Sequence, residues 1–294
     1  MNYDDGLTYV YAVAWDSAAL RKFLSGLHGI SGAPVFLVGE DEASAHRGAA
    51  PDAPDTLAFV AGRVSRQEFD ESTLKRRFED LEWLEGIARA HHEVVQTVAA
   101  RDTVLPLRMA TVYQSDDRAR QALAAQRDVF VERLTLLHGR SELGVKLYVM
   151  PGPPSAVVGE PSGAADAASL SPGKAYLRSR RAQHSERETR YQRAERVADR
   201  VEDVAAGFSR HRVRHPAQRG ELASGPEENV LNDAYLVAAD QAEAFRKALT
   251  DTVEDAEGVR IEVTGPWAPY SFAMPPPPRP EASPAPMPPI GGNG

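Results

Sequence analysis

The sequence predicts an α+β protein made of two tandem βαββαβ units of the ferredoxin-like kind, joined by a helix and followed by a proline-rich tail. Two observations carry this. Segments with the two-residue period of a strand and segments with helical period succeed one another as strand, helix, strand, strand, helix, strand, and that order occurs twice. A length of 294 residues also suits two domains of ordinary size. The expected boundaries are 1–113 for an N-terminal α+β unit, 114–139 for the connecting helix, 140–272 for the C-terminal ferredoxin-like unit with a flexible insert at 151–173, and 273–294 for a disordered tail.

In the first unit, residues 7–14 (Leu-Thr-Tyr-Val-Tyr-Ala-Val-Ala) are β-branched and aromatic and read as a buried strand. Asp16 or Ser17 then caps a helix that Gly26 and Gly29 end. Strands are expected at 34–38 and 56–64. One long helix is expected over 73–100, because Leu74, Phe78, Leu81, Leu84, Ile87, Val94 and Val98 step by three and four. Residues 103–113 read as a strand that Pro106 pushes to an edge or a bulge.

Ser115 caps the connecting helix and Gly139 stops it. In the second unit, Leu143, Val145, Leu147 and Val149 alternate with Gly144, Lys146 and Tyr148 in a strand. A helix over 174–210 carries Tyr191, Ala194, Val197, Val201 and Phe208 at helical spacing. Strands near 219–223, 230–239 and 259–264 enclose a last helix at 241–255. Both units should be antiparallel sheets with helices on one face. Nine of the 22 prolines lie beyond Ala273, where no core can form.

Composition narrows the functional classes. The chain has 42% hydrophobic and 26% charged residues. It has no apolar run near the roughly 18 residues that span a bilayer. Met1-Asn2-Tyr3-Asp4-Asp5 carries acids where a secretory signal would carry lysines, so a cytoplasmic location and no membrane partner are expected. The absence of cysteine excludes disulfides, thiolate metal sites and a cysteine nucleophile. The net charge is −8, yet residues 174–214 hold 12 Lys/Arg against 6 Asp/Glu. The acids interrupt the arginines and no aromatics interleave with them, so a solvated helical face is favoured over nucleic acid.

Candidate chemistry is sparse. His92-Glu93-Val94-Val95-Gln96 is one residue from a zinc-protease motif, but Gln96 stands where the second imidazole is needed, and His91 points about 100° away on a helix. No metal is expected, and His91 and His92 read as helix-face polar residues. Gly139-Arg-Ser-Glu-Leu-Gly144-Val-Lys146 joins a helix to a strand, the reverse of a phosphate cradle. No dinucleotide or serine-nucleophile fingerprint occurs, so no cofactor and no catalytic residue are expected. Arg108, amid strand residues fit for burial, needs a carboxylate, and Glu93 is expected to pair with it. Trp267, Tyr270 and Phe272 follow the last strand among two prolines that should stop it. They are expected to form a clasp on the protein's own body, with Trp267 buried, or else a partner contact.

Several of these segments occur in an order that resembles one family. They are the start at Leu7, Trp83-Leu84 followed by His92-Glu93, Val104-Leu-Pro-Leu-Arg-Met-Ala-Thr111, Glu142-Leu-Gly-Val-Lys146, Lys174-Ala-Tyr-Leu177, Asn232-Asp-Ala-Tyr-Leu-Val237 and Gly265-Pro-Trp-Ala-Pro-Tyr-Ser-Phe272. Together they resemble the GvpL/GvpF family of gas vesicle proteins over residues 7–272. The resemblance implies a non-enzymatic accessory protein of gas vesicle assembly, with the small, apolar major shell protein and other accessory proteins as partners. It carries no catalytic residues, and Arg108, His92 and Glu93 read as structural. The rival reading is a small-molecule binder or enzyme with His91, His92, Glu93 and Arg108 at the polar end of a pocket.

Overall fold

A computed structural model describes residues 6–40, 56–151, 172–217 and 227–273. Its two antiparallel sheets each follow the ferredoxin-like order. In the first, β1 (Leu7–Trp15), β2 (Val35–Gly39), β3 (Leu57–Val64) and β4 (Val104–Pro106) lie in the order β2-β3-β1-β4, and β5 (Val112–Tyr113) also pairs with β1. In the second, β6 (Arg140–Val149), β7 (Arg212–Arg214), β8 (Glu228–Ala238) and β9 (Val259–Trp267) lie in the order β7-β8-β6-β9. In both, the first strand sits beside the third and the fourth joins its free side. The expected fold class therefore holds. The insert beyond Pro151, the strand expected at 219–223 and the tail from Met274 lie outside the described residues.

The helices are more broken than their apolar stripes suggest. The expected 73–100 helix is divided into α3 (Glu71–Arg77) and α4 (Leu81–Ala99), and a separate short helix, α2 (Arg66–Phe69), precedes them. Asp70 and Asp80 cause the breaks, since their carboxylates accept from Thr73 N and Trp83 N at 2.7 and 3.1 Å. Each is a local N-cap that outcompetes continuation of the preceding helix. The connecting helix is likewise two, α5 (Asp116–Ala125) and α6 (Arg127–Leu137), and Ser115 Oγ caps the first. Gly139 ends the pair at φ 67°. Ser17 Oγ caps α1 (Ala18–Leu24).

The expected 103–113 strand is interrupted too. After Pro106, paired opposite Ala12, the chain leaves β1 and turns at Ala110, whose φ is 63°. It returns at Val112 opposite Tyr9. On β1 itself the register slips between Val10 and Ala12, a bulge that puts Tyr11 and Ala12 in one apolar cluster.

Nor are helices confined to one face of the first sheet. One face packs on α1 and α4 through Tyr9, Tyr11, Leu24, Val94 and Val98. The other holds Val10, Val13 and Phe59 against Leu123 of α5 and Leu134 of α6, in a cluster that also includes Ala234 and Leu236 of β8. Burial on both faces explains why β1 is almost continuously apolar rather than alternating. The second sheet's far face packs on α7 (Pro172–Ala206) and α8 (Ala242–Val253) through Val197, Val201, Phe245 and Leu249. Asp233 of β8 is buried and is held by Arg212, at 2.8 Å from its Nε, and Arg212 also reaches Glu202 of α7. A buried carboxylate needs that pairing.

The last strand overturns one expectation. It does not stop at Thr264, because β9 runs to Trp267 and pairs it opposite Glu142. The register shifts between Glu142 and Gly144, so Gly265 and Pro266 occupy a bulge in which the missing proline N–H is not called upon.

Two glycine substitutions should therefore move stability in opposite directions. At Gly265, φ is 104° and an added Cβ would lie 2.7 Å from the Glu142 carbonyl oxygen. Gly265→Ala is expected to cost about 2 kcal/mol or more. Gly86, inside α4 with open space where a Cβ would go, should gain about 0.5–1 kcal/mol as alanine. Urea unfolding of the two variants checks the pair, and equal effects at the two sites would contradict the bulge.

Candidate functional site

Beyond β9 the chain crosses to the N-terminal half and is gripped there by side chains from three places. Gln96, on α4, forms two bonds with the crossing backbone. Its Nε2 donates to the Pro266 carbonyl at 3.1 Å and its Oε1 accepts from Ala268 N at 2.8 Å. The amide thereby does what a neighbouring strand would do for residues on either side of Trp267. Arg246 of α8 donates to the carbonyls of Val263 and Gly265 and holds the start of the crossing. Ala268 then enters the cluster between sheet and α4, while Phe272 and Ala273, on the short α9 (Tyr270–Ala273), enter the cluster shared by the two sheets.

Ser271 has the third grip, and its neighbours form a serine–histidine–glutamate set. Glu142 of β6 accepts from Ser271 N at 2.8 Å and from Ser271 Oγ at 2.6 Å, and His215 Nε2 lies 3.0 Å from that Oγ. The hydroxyl has one proton, and it goes to the carboxylate. His215 must then be the donor to Oγ, so it cannot act as the base a nucleophilic serine requires. The set is a clamp. Burial raises the Glu142 carboxyl above its usual range, with the two Ser271 donors opposing.

His91 and His92 take different surroundings. His91, only 3% exposed, points from α4 toward β1. Its Nδ1 lies 2.9 Å from Tyr9 Oη, which itself accepts from Ala110 N at 3.0 Å. The Tyr9 hydroxyl therefore donates its hydrogen bond to Nδ1, and the hydrogen of the neutral imidazole sits on Nε2. Burial lowers the His91 pKa to about 4, opposed by the neighbouring Leu107 carbonyl. His92 is exposed, stacks on Tyr270 at 5.9 Å between ring centroids and tilts against Trp267 at 6.2 Å. Among the described residues no group of three or more His, Asp or Glu is placed to hold a metal. Gln96, in the position a zinc motif would give to histidine, is instead occupied with the crossing backbone.

Two expectations are corrected here. Arg108 and Glu93 form no ion pair among the described residues, and both are exposed. Arg108 lies in the loop where the chain leaves β1 rather than in a strand, so it has no burial cost to offset. Trp267 is 43% exposed, because its Nε1 turns back to Thr264 Oγ1 at 3.1 Å. The adjacent Ala268 takes the buried position instead. Of the expected site residues, His91, His92, Arg108 and Tyr270 line one cleft of about 550 Å³. Trp267 flanks it through His92, whereas Glu93 is not part of its lining. Gln96, Glu142 and His215 were not foreseen. Gln96 offered one cue, as a polar residue beside the apolar stripe of a helix, and Glu142 another, as the one acid of its strand.

These features define a tandem ferredoxin-like scaffold closed by its own C-terminal segment. The model of the gas vesicle synthesis protein GvpL/GvpF family matches residues 7–274, and the chain belongs to this family. It is 38% identical over 269 residues to gas vesicle protein L of Streptomyces sp. (strain CB03234), covering 92% of this chain and 93% of that protein. It is 28% identical over 214 residues to gas vesicle protein L1 of Halobacterium salinarum (strain ATCC 700922 / JCM 11081 / NRC-1), covering 66% and 73%. The crystal structure of gas vesicle protein GvpF from Anabaena sp. PCC7120 shares the fold, with a TM-score of 0.58 at 17% identity, over 92% of this chain and 96% of that one.

Two tests follow from the site. The folded-state pKa of His91 lies below the ordinary value of 6.5. Its neutral burial therefore supports the fold fully above pH 6.5, and that support is lost as pH falls toward 4. Between pH 7 and 4.5 it should account for about 2–3 kcal/mol. His91→Gln should flatten the stability profile by that amount, and parallel profiles would refute it. Ending the chain after Thr264 removes Ala268 and Phe272 from their clusters and should cost at least about 2–3 kcal/mol. Ending it after Ala273 should leave the unfolding midpoint unchanged.

Proposed function

We propose that this protein is a non-enzymatic assembly factor of gas vesicles. It binds the small apolar shell protein, together with other gas vesicle proteins, and keeps it from aggregating before it is built into the wall. Family membership across residues 7–274 carries the proposal. Physical chemistry supplies the task. A subunit of a gas-tight wall exposes apolar strand surface before assembly, and such surfaces aggregate unless covered.

A cover needs sheet edges or apolar clefts rather than a reaction centre. Among the described residues, β2 and β9 each pair on one side only, and β2 (Val-Phe-Leu-Val-Gly) carries no charge. No helix of the described chain is long and apolar enough to cross a membrane. The chemistry of Ser271 supports a non-enzymatic reading, because its proton is committed to Glu142. The protein would work in the cytoplasm and at the growing vesicle.

Co-expression tests the proposal. Shell protein made with this protein should move from the pellet to the supernatant and co-purify with it. A shell protein that stays insoluble, with no gas vesicle protein retained on the purified chain, would refute the role.

A further inference from the structure

We infer that the cleft between α4, the β4–β5 loop and α9 is a recognition site for a partner polypeptide in which an apolar side chain stands next to a carboxylate. The inference rests on the proposed role in binding gas vesicle proteins and assigns a place to that binding. The walls are apolar, made by Ala88, Pro106, Leu107, Met109 and Ala273. They suit an apolar side chain leaving water.

Two polar atoms among these walls lack partners. His91 Nε2 and Tyr270 Oη are both buried and make no hydrogen bond, although their rings lie 6.4 Å apart and both residues line the cleft. Buried polar atoms are rarely left unpaired in a folded protein, and two in one cleft call for an explanation. Proton accounting gives their sense. With the Tyr9 hydroxyl donating to Nδ1, His91 Nε2 carries hydrogen and meets only the Leu107 carbonyl of the cleft wall, outside normal hydrogen-bond geometry, while Tyr270 Oη can give or take. A peptide unit offers a carbonyl and an N–H side by side, which meets both demands.

Charge decides the rest. The lining contains Arg108 and no acid, and Arg108, exposed in its loop, makes no ion pair among the described residues. A carboxylate is the complementary group, and a cationic partner is disfavoured. The surface also continues past the cleft. His92 stacks on Tyr270 and touches Trp267, whose ring stays 43% exposed. A tryptophan and an arginine flanking an apolar cleft are the residue types that dominate protein–protein contacts. A ligand no larger than the cleft would leave Trp267 unused, which favours an extended polypeptide over a small molecule.

The test uses the full-length protein and fluorescein-labelled 15-residue peptides that span the major gas vesicle shell protein of the same organism, read by anisotropy. Peptides with an apolar residue next to Asp or Glu should bind, and their Asn or Gln counterparts should bind about tenfold more weakly. Arg108→Gln should weaken the acidic peptides about tenfold without affecting the amide ones, and Tyr270→Phe should weaken both by a few-fold. Glu93→Gln, on α4 but outside the cleft, should change nothing. If Arg108→Gln and Tyr270→Phe, shown folded by circular dichroism, bind every peptide as the native chain does, the cleft is not the site. Decanoate binding that Arg108→Gln abolishes, with no peptide bound, would overturn the polypeptide assignment in favour of a small amphipathic anion. Should no peptide bind while intact shell protein still co-purifies, the cleft inference falls and the assembly role stands. Loss of both would refute the assembly role as well.

Discussion

Residues 265–273 start in one sheet and end in the packing of the other, and the arrangement of the two sheets depends on that crossing. The backbone of such a segment has no strand beside it, so its polar groups need partners from side chains. Gln96 supplies two, Glu142 one more, and Arg246 covers the carbonyls at the start. Only with those groups satisfied can Ala268 and Phe272 be buried at a net gain. The anchors are polar and the gain is apolar, so neither holds the crossing alone.

Between the sheets, α5 and α6 have the complementary part. In a lone ferredoxin-like unit the sheet face away from the helices would meet water and would alternate in polarity. Here that face of the first sheet is covered by Leu123, Phe130 and Leu134, and the same cluster reaches Ala234 and Leu236 of the second sheet. Side chains of one core therefore come from both sheets, from the connecting helices and from the C-terminal segment. The short α9 beside β4 completes this layer, which places the aromatic signature next to the loop that carries Arg108.

Strand order and fold class were legible because they follow from period and element order, which a single sequence displays. Breaks were less legible. Asp80, within an apolar stripe, reads as a surface residue of one helix, and only the geometry shows it as a cap. Pairings across the chain were not legible at all. Arg108 seemed to need an acid because its neighbours looked like strand residues, but the turn at Ala110 takes it out to solvent. Trp267, one of three rings beyond a strand that two prolines should stop, reads as a buried residue, while the bulge at Gly265 gives the inner position to Ala268. Gln96 counted in the sequence as a missing zinc ligand. In the structure it bonds with residues 170 and 172 positions away, a distance no local pattern encodes.

The contrast between two polar clusters bears on what kind of protein this scaffold makes. Around Ser271 every donor has an acceptor: the hydroxyl donates to Glu142, and His215 donates to the hydroxyl oxygen. A saturated cluster of this kind is rigid and has no capacity left for a substrate. Around His91 the accounting does not close, because Nε2 and the Tyr270 hydroxyl remain open beside apolar walls. The saturated cluster holds α9 in place, and α9 carries Tyr270. Hence the clamp that locks the C-terminal segment also positions one of the two unsatisfied groups. One stretch of chain therefore both fastens itself and borders the cleft: Ser271 and Phe272 hold it in place, while Tyr270 lines the cleft and Trp267 flanks it through His92.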